Sequence, residues 1–592
     1  MKIITIVPGH NATIGYFDDG ECISILHEEK FNNIKNFSGF PEQALAHILS
    51  RVPVGDIDKF IFTSIQQFML CVPGAPSKKL ADQIETVSQS RLRRVYDWLE
   101  YKTGLKAIFT GLRNVILHKF VSPKAWEAIV DWMRATYDIP CGKIVAIDHH
   151  LCHALTPVYF YGLASQNEKI LLVTVDGAGD DSSSKVFVFD PADSSCMQLA
   201  STCFDSSIGL IYAEATKYLG MKPGEHEYKV MGLAAYVADE KYFDAVYRKL
   251  KSIIWLNKER LEFQSKFNTN VARLFYRENF AFVRFDNIAA ATQKLTEDMV
   301  AGLIGAAIEK TGIRKVAVSG GVFMNVKMNQ KIAAMPDVEK IYFQPSCGDE
   351  SLAIGGACKE FLGAKIFPKA INTMYLGHSF SNDDVEAFLR RKNFFDKYEI
   401  SLCENIEHVV AELLANFNIV ARFSGSCEWG ARSLCNRGIL GNASDLKTFF
   451  EVNDMIKMRD FWMPFAPTIL SNWCSRYIQD WDILEPKVRE SSKFMIVTFD
   501  STELARQHLC ASIHQKDKTL RPQVVDEADN PKLFNLLKKY EDLTGMGGVM
   551  NTSLNIHGYP MVGTLEQAVF TFENSGLKYM ALENWLIKKV TH

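Results

Sequence analysis

The sequence, 592 residues long, lacks the features that would place it in a membrane, a secretory route or a nucleic-acid complex. No apolar run approaches membrane-spanning length, and the opening Met1-Lys2-Ile3-Ile4-Thr5-Ile6-Val7-Pro8-Gly9 is too short in apolar character for a signal peptide. No C-x-x-C pair occurs among the 13 cysteines, which therefore read as reduced, mostly buried thiols of a cytosolic protein. Charge of one sign is missing too: 66 Lys and Arg stand against 69 Asp and Glu, with no basic tract. That balance argues against a general nucleic-acid binder or a membrane-surface protein. What remains is a soluble cytoplasmic globular protein, long enough for about two to four domains.

Against this background Asp148-His149-His150-Leu151-Cys152-His153-Ala154 stands out. His149 and His153 are four apart, so on a helix they project from one face, as in zinc-binding H-E-x-x-H helices. Small and apolar residues follow (Ala154, Leu155, Pro157, Val158), which sends the helix into the interior. The pair suits a shared metal ion. It equally suits one capping and one hydrogen-bonded core histidine, since two ligands do not make a site. A third ligand has a natural candidate in Asp349, which follows the strand and turn Tyr342-Phe343-Gln344-Pro345-Ser346-Cys347-Gly348 and opens a helix through Ala357. Asp349 also fits a plain N-cap.

Taken in order, the chain opens with strand 2–7, the loop Gly9-His10-Asn11-Ala12, strand 13–17, an Asp19-Gly20 turn and strand 22–26. The same figure returns as strand 170–175, the loop Asp176-Gly177-Ala178-Gly179-Asp180 and strands 185–189 and 197–203. The repetition predicts a duplicated α/β domain with a cleft between its halves. Glycine loops let backbone N–H groups approach phosphate, so Gly177 and Gly179 are candidate ATP contacts. A strand at 316–319 delivers Gly320, Gly321 and Asn325 in a similar outline. Residues 68–139 and 240–285 carry helical spacing with many charges and read as solvated helical insertions. Near Phe367-Pro368-Lys369 the pattern changes, dividing residues 1–366 from residues 367–592. In the second part Arg432, Lys457, Arg459 and Arg521 stand among glycines and small polar residues such as Asn551-Thr552-Ser553-Leu554-Asn555. That setting suits a pocket for a small anion, with surface ion pairs as the commoner fate of a lone arginine.

Residues 149–154, 176–179, 224–234, 319–325, 348–357, 428–440, 457–467 and 551–555 together resemble the O-carbamoyltransferases of nodulation-factor and antibiotic biosynthesis, in the same order along nearly the whole chain. The resemblance implies an α/β protein of two domains. Residues 1–366 would form a duplicated actin/hexokinase-like ATPase fold with helical insertions, akin to the tRNA threonylcarbamoyltransferase; residues 367–592 would form a YrdC-like α/β domain. It implies that carbamoyl phosphate and ATP react in the second domain to give carbamoyl-adenylate and pyrophosphate, and that the first passes the carbamoyl group to a hydroxyl of a small acceptor. By position, His149, His153 and Asp349 resemble the ligands of a divalent metal, iron before others, with Mg2+ accompanying ATP. His10 and Lys35 resemble the acceptor-side transfer residues. Arg432, Lys457, Arg459, Arg521, Asn551 and Ser553 resemble the carbamoyl-phosphate and ATP pocket, with Lys457 and Arg521 in catalytic roles. The implied partners are carbamoyl phosphate, ATP and a small hydroxyl-bearing acceptor (a sugar, macrolide-like or alkaloid alcohol), without nucleic acid or membrane; a homodimer is among the assemblies it allows.

The chain departs from the family pattern at three places. Where the family usually reads Gly-Pro-Arg-Ala-Leu-Gly-Asn-Arg, this chain has Ala431, Ser433 and Cys435; Met463 stands where an Arg usually precedes Pro-Phe-Ala-Pro; and the first loop reads His-Asn-Ala rather than His-Asp-Ser-Ala. Two rival readings share part of the evidence in the residues. A tRNA threonylcarbamoyl-type transferase shares the histidine helix and the ATP cleft but not the second pocket. A non-enzymatic actin-like ATP-binding module explains the glycine loops but neither the His149, His153 and Asp349 set nor the second pocket.

Overall fold

In the computed structural model, which describes residues 1–65, 91–103 and 122–590, the repeated strand figure becomes two five-stranded sheets of identical order. In the first, Glu21–His27, Thr13–Asp18 and Lys2–Val7 run antiparallel, and Lys59–Phe62 and Ile144–Ala146 continue parallel to Lys2–Val7. In the second, Ser195–Cys203, Ser182–Asp190 and Ile170–Gly179 are antiparallel, and Lys315–Ser319 and Lys340–Phe343 continue in parallel. This is the duplicated α/β arrangement expected from the sequence. The central strands are apolar on both faces, as parallel neighbours under helices require: Ile3, Ile4, Ile6, Leu171, Leu172 and Val173 are all fully buried. Each hairpin turns on two left-handed residues, Asp19 and Gly20 (φ 43° and 78°) and Asp180 and Asp181 (45° and 64°). Such turns match the twist of the flanking strands, and Asp tolerates that region better than most side chains.

Two local expectations are corrected. Residues 176–179 are not a free loop: they extend the strand Ile170–Gly179 through a bulge, and the reversal falls at Asp180 and Asp181. Residues 240–285 are not wholly helical either. Between helices Asp244–Lys251 and Ala272–Asn279 runs an antiparallel hairpin, Ile254–Asn257 with Glu262–Ser265. Lys258, Glu259 and Arg260, which suggested a charged helix, lie in its turn, while Ile254 and Phe263 go inward. The insertion expected over 68–139 falls largely outside the described residues; within them Arg91–Thr103 and Ser122–Tyr137 are helices.

The chain divides into two units, Met1–Glu28 with Asn36–Asn372 and Glu29–Lys35 with Thr373–His592. The second is built on an eight-stranded mixed sheet in the order Glu399–Leu402, Trp585–Lys588, Tyr579–Leu582, Val420–Phe423, Arg437–Gly441, Gly548–Ser553, Ala466–Leu470, Gln523–Val525. Glu29–Lys35 belongs to it through Lys30, whose buried ammonium donates to the Met561 carbonyl at 2.9 Å and whose own carbonyl accepts from Gln567 Nε2 at 3.0 Å. Among the described residues no helix is long and apolar enough to cross a membrane, and the described cysteines are all free thiols.

In the first unit, helix His149–Phe160 packs against helix Leu352–Gly363 at a distance only glycine permits. A Cβ on Gly355 would sit 1.7 Å from the Cys152 carbonyl oxygen, and Thr156 Oγ1 donates across the contact to the Ser351 carbonyl at 3.0 Å. Gly355→Ala must therefore part the helices and is expected to cost about 3 kcal/mol or more. Gly363→Ala, whose added methyl meets nothing within 4 Å, should stay within about 1 kcal/mol of the parent. Urea midpoints of the two variants check this; equal midpoints would contradict the close crossing.

Candidate active site

Helix His149–Phe160 starts at Asp148, whose carboxylate accepts from the Leu151 N–H at 2.8 Å and from Lys185 Nζ at 2.8 Å. Asp180 adds a second carboxylate at the same end, accepting from the His149 N–H at 2.8 Å. Negative groups are stabilising there, since the first turn's N–H groups lack helical partners and the dipole is positive. With its first turn fixed, the helix carries His149 and His153 inward, both fully buried. Gly179 makes room for the His149 ring: a Cβ at that position would lie 2.2 Å from its Cδ2.

His149 Nε2 lies 3.2 Å from Asp176 Oδ2 and 3.8 Å from Asp349 Oδ1, and His153 Nε2 lies 3.9 and 3.7 Å from the same two oxygens. One ligand atom from each of the four residues falls within 4.8 Å of all the others. Asp176 is the member that sequence reasoning missed, having been read only as the start of a glycine loop. It is oriented by the Gly321 N–H, which donates to its Oδ1 at 3.0 Å. Ser319 Oγ meets His153 Nδ1 at 3.2 Å, while the Nε2 of His153 is buried with no hydrogen-bond partner. An orphaned imidazole nitrogen, a second imidazole and two carboxylates converging on one point fit a divalent transition ion held by two nitrogens and two oxygens. The core-histidine alternative is realised by His150 instead. Its Nδ1 meets Thr174 Oγ1 at 2.9 Å and its Nε2 the Ser182 carbonyl at 3.1 Å, and burial and then the neighbouring His149 and His153 lower it to about 3. For His149 burial acts downward, but the Asp176 hydrogen bond and the Asp349, Asp176 and Asp180 charges outweigh it and raise the group to about 9.

His10 is exposed on the short strand Gly9–His10, which pairs with Ser38–Gly39. Its Nε2 lies 3.9 Å from where a Cβ on Gly224 would sit. Glu227 accepts from the Gly224 N–H at 2.6 Å; burial raises its carboxyl, opposed by that hydrogen bond and by the charge of His10. Glu227 carried no role in the sequence, because only the folded loop sets it beside His10. Of the glycines, Gly177 faces open space, whereas a Cβ on Gly320 (φ 104°) would meet the Val175 carbonyl at 2.4 Å. Asn325 caps helix Val326–Ala333 by accepting from the Met328 N–H at 3.1 Å and forms a reciprocal amide pair with Gln293 at 2.8 and 2.9 Å. Lys35, grouped with His10 by the sequence, falls in the second unit.

In the second unit the basic candidates lie close enough to act on one another's charges. Lys457 is buried, and its Nζ donates to the carbonyl and hydroxyl of Ser553 and to Asn555 Oδ1, the last at 2.6 Å. Burial, then the charges of Arg459 and Lys35, push its ammonium well below the usual lysine range. Arg521 is pushed down likewise by burial and then by Arg432 and Arg459. A guanidinium keeps its proton in a protein, so a desolvated Arg521 beside Arg432 and Arg459 is a setting that would favour a bound anion. Arg432 lies in a loop folded around Glu428, whose buried Oε1 accepts from the N–H groups of Leu434 (2.7 Å), Asn436 (2.9 Å) and Arg437 (3.2 Å). Arg437 itself is structural. Its guanidinium lies 3.6 Å from the Phe423 ring centroid and donates to the carbonyls of Ser424, Asn436, His378 and Gly425. Cys435, where the family pattern has glycine, holds φ at 73°, and burial pushes its thiol up to about 12, so it packs rather than reacts. Asn551 Nδ2 donates to the Ser433 carbonyl at 2.9 Å, tying the neighbouring strand to the same loop.

A duplicated α/β unit with a buried histidine–carboxylate cluster is joined in one chain to a second α/β unit with a group of buried cations. The chain belongs to the carbamoyltransferase family: the family's N-terminus model matches residues 2–358 and its C-terminus model residues 411–589. It is a carbamoyltransferase. Similar to it are the uncharacterized protein MJ1058 of Methanocaldococcus jannaschii, 33% identical over 97% of this chain and 93% of its own length, and sll1178 of Synechocystis, 26% identical over 98% and 95%. Nodulation protein NolNO of Sinorhizobium fredii is 26% identical over 98% of this chain and 79% of its own length.

One divalent metal ion per chain is expected. His153→Ala and Asp176→Asn should each weaken it by about 100-fold or more, beyond the usual effect of losing an outer-sphere partner. The metal must displace the His149 proton, so its apparent affinity should climb with pH and level off above about 9. In the metal-free protein the sign is opposite. The raised group stabilises the fold fully below its ordinary 6.5, and that contribution fades as pH rises through about 9. Metal titration across this range checks both; an affinity that does not change with pH would contradict them.

Proposed function

We propose that the chain is an ATP-dependent O-carbamoyltransferase that takes the carbamoyl group of carbamoyl phosphate, through carbamoyl-adenylate, to a hydroxyl of a small acceptor. The observation that carries this reading is the burial of Lys457 and the desolvation of Arg521 beside the positive charges of Arg459, Lys35 and Arg432, a setting that suits two phosphate-bearing substrates brought together against their own repulsion. Carbamoyl phosphate gives up orthophosphate to water, the resulting carbamate oxygen attacks the α-phosphorus of ATP, and pyrophosphate leaves. The acceptor hydroxyl then attacks the carbamoyl carbon, AMP departs, and the hydroxyl proton passes to His10, with Glu227 placed to stabilise the imidazolium. A divalent ion bound by His149, His153, Asp176 and Asp349 would supply Lewis acidity toward a phosphate or carbonyl oxygen. These residues keep their orientation through Ser319, Gly321 and the capped first turn.

The two half-reactions belong to different units on this reading, which gives it a direct test. Lys457→Ala or Arg521→Ala should reduce pyrophosphate release from ATP plus carbamoyl phosphate by about 100-fold or more. The same variants should still use preformed carbamoyl-adenylate. His10→Asn should show the reverse, normal pyrophosphate release with transfer slowed about 100-fold. Pyrophosphate release that does not require carbamoyl phosphate would count for a plain ATP-binding module, and loss of both steps in the Lys457 variant would contradict the division.

A further inference from the structure

Behind the exposed His10 lies a contact between the two halves of the first unit. Asn11 follows His10 in the left-handed region (φ 56°), which Asn tolerates better than most residues. Its backbone carbonyl accepts from Thr13 Oγ1 at 2.7 Å, and the flanking residues are pinned by ladder and turn bonds, Ala12 N–H to the Phe37 carbonyl and Glu28 N–H to the Ala12 carbonyl. The side chain turns away from these local partners. Its Nδ2 donates at 3.0 Å to Oε2 of Glu350, 339 residues distant and only 2% exposed.

Glu350 is built into its place. Its other oxygen accepts from Ser346 Oγ, and the carboxylate lies so close over Gly348 that a Cβ there would meet it at 2.4 Å. Glu350 also directly follows Asp349, one of the four residues of the histidine–carboxylate cluster. A side-chain amide thus links the loop carrying His10 to the turn carrying Asp349. We infer that Asn11 is a positioning residue: its hydrogen bond to Glu350 sets His10 in register with the Asp349 end of the cluster. Asn11, where this chain departs from the family's His-Asp-Ser-Ala loop, supplies the donor in that contact. An aspartate in place of Asn11 would remove the amide donor and set two carboxyl groups about 3 Å apart.

The inference rests on His10 as the acceptor's base, and the test separates the two. In the full chain with its metal bound, two quantities are read: AMP release from carbamoyl-adenylate with glycerol as probe hydroxyl, and hydrogen–deuterium exchange of the peptide spanning residues 8–13. Asn11→Asp should lower kcat for AMP release about 10- to 100-fold, the range expected for a displacement of about 1 Å, and speed exchange of that peptide. The double variant Asn11→Asp, Glu350→Gln reverses donor and acceptor and should recover kcat to within about threefold. Should Asn11→Asp fold poorly, Asn11→Ala, which removes the donor without adding charge, should still lower kcat and speed exchange. Unchanged exchange in both single variants would overturn the link. Faster exchange with unchanged kcat, while His10→Asn remains impaired, would leave Asn11 a merely structural residue and overturn the inference too. Normal AMP release in His10→Asn would instead refute the base assignment, whatever the exchange data show.

Discussion

The first unit depends on how closely two helices cross. Gly355 lets the helix that begins just after Asp349 approach the Cys152 carbonyl, one residue before His153. The crossing therefore fixes the distance between the carboxylate of Asp349 and the two imidazoles on the partner helix. Every other element of the cluster adjusts to that distance. Gly179 clears the space that the His149 ring enters, the Gly321 N–H turns Asp176 toward it, and Ser319 holds His153 by its far nitrogen. Close packing of this kind transmits displacement rather than absorbing it. A shift in either helix would be felt directly at the ligand atoms.

The two candidate sites differ in how they treat charge. In the first unit two carboxylates face two imidazoles, and their charges hold the His149 imidazole above its ordinary range despite burial. In the second, buried cations lie beside one another, while Oε1 of Glu428 accepts from three backbone N–H groups. An arrangement of like charges is costly unless something offsets it, and the phosphate-bearing substrates proposed for this unit would do so. The departures from the family pattern fit their surroundings to different degrees. Asn11 supplies the donor that Glu350 needs, and Cys435 keeps a left-handed backbone that glycine would hold more cheaply. Nothing in the structure explains Met463, which is buried.

Much of this was legible in the residues because it is local or periodic. The spacing of His149 and His153 placed both on one helix face, and the two hairpin figures announced the duplicated sheet. What was missed depends on the folded chain. Asp176 looked like a turn residue because the bulge that aims it at the histidines has no sequence signature. Glu227 and Glu350 gained meaning only from partners distant in the chain, His10 and Asn11. The hairpin within residues 240–285 was hidden because its turn carries the charges that helical surfaces also carry. That Glu29–Lys35 joins the second unit could not be read from a seven-residue segment whose anchoring contacts lie more than 500 positions away.

The central claim is that the carbamoyl group travels as an adenylate, and oxygen labelling tests it most directly. With both oxygens of the carbamoyl group of carbamoyl phosphate replaced by oxygen-18, the carbamate that attacks ATP carries the label into the bond with the α-phosphorus. When the acceptor attacks the carbamoyl carbon, that oxygen leaves with AMP. Mass spectrometry of the AMP formed in complete turnover should therefore show an added oxygen-18. Unlabelled AMP, or carbamoylated acceptor formed without AMP, would contradict the adenylate route.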